Sequence, residues 1–141
     1  MSNPVFQPVE SWEWTPGRSV GPFLFGAEVL LIGAEFGFEP CTFCSSKGNL
    51  SFYACPNSRA RVFHAEGRIT GVCCQFSLRY EGQELLERDR EYVRRILGRE
   101  DDAASVSAAD YATLGLTLWF EEGRTTSGTC GPAGDSMTLD V

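Results

Sequence analysis

The chain has 141 residues, 43% of them hydrophobic, with ten Phe, three Trp and four Tyr. That is apolar surface enough for a single domain over 1–141 with its own core, and too much for a disordered chain. Nineteen Asp and Glu against twelve Lys and Arg leave a formal charge of -7, which sets the chain against nucleic acid and anionic membrane surfaces and favours a basic partner.

Residues 1–15 are polar and turn-rich, and they read as a loosely attached segment in which Trp12 and Trp14 flank Glu13 as in a short edge strand. Pro16-Gly17 and Gly21-Pro22 are turn signals, and Phe23 and Phe25 share one face of a short strand. From Gly26 to Gly37, Val29, Ile32 and Phe36 recur at helical spacing, which predicts a first helix. A meander follows: Leu50 to Cys55, Arg61 to Ala65 and Ile69 to Phe76 are β-prone, with turns at Pro56-Asn57-Ser58 and Glu66-Gly67-Arg68. In the last run Val72, Cys74 and Phe76 alternate with Cys73, Gln75 and Ser77, which predicts a buried and a wetter face. Glu84 to Leu97 has an apolar side, Glu84–Arg88 and Glu91–Arg95 pairs at i,i+4, and a terminal Gly98, which predicts a second helix. A polar linker, Glu100 to Asp110, precedes β-runs at Leu114 to Phe120, Thr125 to Cys130 and Met137 to Val141. The element order predicts an α+β domain: an antiparallel sheet with two main helices packed on one face.

The stretch Pro16-Gly17-Arg18-Ser19-Val20-Gly21-Pro22-Phe23-Leu24-Phe25-Gly26 resembles the PGxxxGxFxxG opening of short bacterial proteins encoded as immunity partners of secreted toxins. It is more remotely similar to the opening of eukaryotic phagosome assembly factors. The resemblance implies a protein that acts by binding and inhibiting a cognate toxin domain, or, through the remoter likeness, an adaptor subunit of a larger assembly.

The residues themselves offer little chemistry. Cys41-x-x-Cys44 with Cys55 is a candidate zinc or redox set, but no second pair stands at ligand spacing, and Cys73 and Cys74 are adjacent on a strand and so face opposite ways. Burial explains cysteines more simply. His64 is the one histidine, with no assignable partner for a nucleophilic site, and no Gly-x-Ser-x-Gly elbow or phosphate-binding glycine loop is present. Asp101, Asp102, Glu121 and Glu122 lie in polar segments, where they suit a solvated face that meets a basic partner. With no apolar run near the roughly 18 residues of a membrane span and no basic N-terminal segment leading into one, the expected location is the cytoplasm, with reduced thiols. The sequence therefore predicts a non-enzymatic binding protein without a cofactor, its partner contact drawn from those four carboxylates.

Overall fold

The computed structural model describes residues 12–29, 37–45, 48–55, 60–101 and 105–132. Three short strands open it: β1 (Trp14–Thr15), β2 (Ser19–Val20) and β3 (Phe23–Leu24) form a small antiparallel sheet. The Pro16-Gly17 turn closes on itself through Arg18 N donating to Thr15 O at 2.9 Å, and Gly21-Pro22 joins Val20 directly opposite Phe23. Trp12 packs edge-on against Phe23 at 5.2 Å, and Trp14 is almost fully buried.

The main sheet has seven antiparallel strands, which run in space as 108–111, 116–121, 124–130, 68–74, 60–65, 48–55 and 39–45. Its first meander is β4 (Glu39–Ser45), β5 (Gly48–Cys55), β6 (Ala60–Ala65) and β7 (Arg68–Cys74). Its second is β10 (Ala108–Tyr111), β11 (Leu116–Glu121) and β12 (Arg124–Cys130). The two meet where β12 pairs with β7, Gly128 opposite Cys74 and Cys130 opposite Val72.

Strand alternation then writes the core across the sheet. One row runs Tyr53, Val62, Val72, Cys130, Leu116, Tyr111, and the next runs Ala60, Cys74, Gly128, Leu118, Ala109. Apart from Gly128, these residues join Trp14, Phe23, Leu78, Leu85, Leu86 and Val93 in one apolar cluster, with Tyr53 packed against its edge.

The connection from β7 to β10 lies over that face. It carries a hairpin of β8 (Arg79–Tyr80) and β9 (Gln83–Glu84) and then α1 (Arg90–Leu97). The Glu84 carboxylate binds the hairpin to its flanks: Ser77 Oγ donates to it at 2.5 Å, Leu78 N at 2.8 Å and Leu86 N at 3.2 Å.

Among the described residues 53% are strand and 11% helical, with one α-helix, so the predicted α+β fold with two main helices is overturned by a mostly antiparallel β architecture. The first predicted helix does not begin at Gly26. Gly26 N donates to Ile69 O, Ile69 N to Ala27 O and Val29 N to Gly67 O, all within 2.9 Å, so Gly26–Val29 is bonded alongside β7 and not helical. Residues 30–36 of that helix lie outside the described residues.

The second helix begins at Arg90, not Glu84. Glu87 adopts φ 61, which an α-helix cannot pass through, and Asp89 caps the helix by accepting from Tyr92 N at 2.8 Å. Glu84 and Arg88 are therefore not a helical pair. The linker read over Glu100 to Asp110 contains most of β10, and β4 was not anticipated at all. The turn at Pro56-Asn57-Ser58 and the run Met137 to Val141 fall outside the described residues.

Phe76 corrects a face assignment. The chain bends two residues past the end of β7, and Phe76 is 47% exposed, not inward.

Three hairpins, β6–β7, β8–β9 and β11–β12, turn on Glu66-Gly67, Glu81-Gly82 and Glu122-Gly123. Both central residues of each have φ between 51 and 83, the left-handed pair that matches the twist of the flanking strands. Gly115 needs its hydrogen for another reason: at φ 72, a Cβ would run into the carbonyl oxygens of Gly131 and Pro132.

Candidate functional site

Strand β11 reads Leu-Thr-Leu-Trp-Phe-Glu, and the fold buries Leu116, Leu118 and Phe120 while turning Thr117, Trp119 and Glu121 outward. Trp119 is 45% exposed on the sheet face opposite the core. Its cross-strand neighbours are Ala108 on β10 and Ser127 on β12. Both are small, so neither crowds the indole. One residue further, Phe120 pairs with Thr125, which leaves Thr126 as the extra residue of a bulge beside Trp119. Bulges bend a strand and re-aim its side chains, and they concentrate near functional sites.

This end of the sheet gathers exposed apolar side chains from three segments. Val106, 90% exposed, stands in the turn leading into β10, and Phe120 N donates to Ser107 O at 2.9 Å, which holds that turn beside β11. Phe76 follows β7 by two residues at the same end, since Cys74 pairs with Gly128, next to the Ser127 that faces Trp119.

Glu121 and Glu122 stand at the β11–β12 turn at this end of the sheet, and neither carboxylate has a hydrogen-bond or ion-pair partner among the described residues. Arg124, opposite Glu121, directs Nη1 to Glu87 O at 3.4 Å instead.

Phe120, next to Trp119 and on the other face of β11, is braced by ion pairs. The Arg90 guanidinium lies over the Phe120 ring at 4.3 Å, donates through Nη1 to Glu100 at 2.7 Å, and through Nη2 to Ser105 O at 2.6 Å. Arg94 adds two 2.8 Å bonds to Glu100. With Arg94 the leading cause, the Glu100 carboxyl is held down at about 2 and stays ionised. Tyr111, buried beside this network, is pushed up to about 12 and donates to Gly98 O at 2.9 Å as a neutral phenol.

The four carboxylates read from the sequence do not form one group. Glu121 and Glu122 stand at the patch. Asp101 sits at the opposite end of β10, where its backbone N donates to Asp110 O and its carboxylate accepts from Ala112 N, both at 2.8 Å. Asp102 lies outside the described residues.

Cys41 and Cys44 are three apart on a single strand, β4, and Cys41 pairs with Phe52, roughly 10 Å along β5 from Cys55 at the strand rise. Among the described residues no three His, Cys, Asp or Glu side chains are placed to hold a metal ion. Burial raises the Cys73, Cys74 and Cys130 thiols, so these three are protonated and poorly nucleophilic. His64 packs against Tyr53 at 5.4 Å.

Trp119 is the site residue that the sequence reading passed over. The signal was present, because period-two alternation with Leu118 and Phe120 already puts this indole on the wetter face. No helix among the described residues is long and apolar enough to cross a membrane. Comparison with family models, curated proteins and solved structures finds no match to the chain.

Proposed function

We propose that this chain is a non-enzymatic binding protein of the cytoplasm that inhibits a basic toxin domain, in the manner of an immunity protein, and that it meets its partner at the Trp119 end of the sheet. The observation that carries the reading is the exposed Trp119 with Glu121 and Glu122 beside it, carboxylates that have no partner among the described residues. Aromatic anchors supply most of the energy in protein interfaces, and flanking charges steer approach and select the sign of the partner. The net charge of -7 and the resemblance of the Pro16–Gly26 motif to immunity proteins support the same reading.

The test is an association-rate measurement with the protein product of the adjacent gene, at low and high salt. Wild type is expected to associate faster at low salt, and Glu121→Lys/Glu122→Lys is expected to slow association and flatten its salt dependence. Rates that are identical in both proteins would remove these carboxylates from the contact. Absence of binding to any basic toxin domain would overturn the inhibitor reading.

A further inference from the structure

We infer that Trp119 and Glu121 together seat an arginine side chain of the partner, the indole stacking on the guanidinium and the carboxylate accepting its N–H groups. This rests on the binding reading above and names the chemistry that the surface recognises.

Trp is the strongest cation–π acceptor among the side chains. Its cross-strand neighbours Ala108 and Ser127 are small, and the side chain is 45% exposed. Glu121 is two residues further along the same face of β11, roughly 7 Å away at the strand rise, a spacing that one guanidinium can bridge.

The chain already builds this arrangement once, on the other side of the same strand. Arg90 stacks over Phe120 at 4.3 Å while its Nη1 binds Glu100 at 2.7 Å. There ring, guanidinium and carboxylate all come from this chain; at Trp119 the chain supplies ring and carboxylate. Among the described residues, Arg90 bonds to Glu100 and Ser105, Arg124 points Nη1 to Glu87 O at 3.4 Å, and Arg88 lies over Tyr92 at 5.1 Å. The cation proposed for this seat is the partner's, as the net charge of -7 favours.

Arginine fits better than lysine. A planar guanidinium stacks on an indole and offers paired N–H groups to a carboxylate, whereas an ammonium is a more strongly hydrated point charge.

Indole N–H resonances of the intact protein, followed during titration with the peptides acetyl-Gly-Arg-Gly-amide and acetyl-Gly-Lys-Gly-amide, test the inference. Trp12 and Trp14 are buried and serve as internal references. The Trp119 signal is expected to move with the arginine peptide and to saturate at lower concentration than with the lysine peptide. Trp119→Leu and Glu121→Gln are each expected to weaken arginine-peptide binding, the former by roughly two- to fivefold, as for an exposed cation–π contact. Glu66→Gln, at the far end of the sheet, is expected to change nothing. A Trp119 signal that ignores both peptides, or answers both alike, would overturn the inference.

The two readings fail separately. A basic toxin domain that binds wild type and Trp119→Leu equally well sinks the arginine seat and spares the inhibitor. A Trp119 response to the arginine peptide, with no toxin domain bound, does the reverse.

Discussion

Thr125 and Arg88 hold each other through both backbone and side chain. Thr125 N donates to Arg88 O at 2.9 Å, and Arg88 N donates to Thr125 Oγ1 at 3.0 Å, while the same hydroxyl donates to Leu85 O at 2.7 Å. The first residues of β12 thereby dock the segment that leads into α1, and Thr125 is fully buried in doing so. Thr125→Val keeps the volume and strands a buried acceptor and a buried donor, so it is expected to cost about 1–3 kcal/mol. Urea denaturation measures it, and Thr125→Ser, which keeps both bonds, is expected to lose less.

Glu100 predicts an acid limb to stability. Its folded carboxyl is lowered from the ordinary 4.5 to about 2 by Arg94 and Arg90. A depressed carboxyl stabilises the fold fully above the unfolded value, and that contribution fades as pH falls from 4.5 toward 2. Glu100→Gln is expected to be less stable than wild type at pH 7, with the gap closing through this window. Thermal melts at pH 7, 4 and 2.5 give the comparison, and a gap that stays constant would show that the pairs contribute nothing.

The Glu-Gly turns carry a local cost. Glu66 holds φ 53 at the tip of β6–β7, a conformation that favours Asn or Gly over a longer side chain. Glu66→Asn is expected to raise stability by about 0.5–1 kcal/mol without altering partner binding, since it lies at the end of the sheet away from Trp119. A lower midpoint in denaturant would contradict this.

Leu118 and Phe76 separate a core position from an exposed one. Leu118 is fully buried opposite Ala109 and Gly128, and Leu118→Asp is expected to cost at least about 4–5 kcal/mol, enough to prevent soluble folding. Phe76→Asp, which the alternation in Ile69 to Phe76 predicts to be as damaging, is expected to fold and melt within about 0.5 kcal/mol of wild type, as exposed substitutions do. Soluble yield and circular dichroism of both variants decide the matter.

What the sequence determined by itself was local. The strands over Leu50 to Cys55, Arg61 to Ala65 and Thr125 to Cys130 were legible because alternation and turn residues act within a few positions. The turn read over Glu121 to Arg124 is present in its middle, at Glu122-Gly123, while Glu121 and Arg124 pair as strand residues.

Tertiary structure decided the rest. Leu85 and Leu86 carry helical spacing, yet they end up in a connector because Glu84 binds the backbone of Leu78 and Leu86 and Thr125 binds the carbonyl of Leu85. Asp101 and Glu121 look alike in the sequence, and only strand register sends them to opposite ends, one to hold the turn at Ala112 and the other to stand beside Trp119. Pairing between segments distant in the chain is worth more than the small propensity differences that local reading measures, so the fold overrides propensity wherever the two disagree.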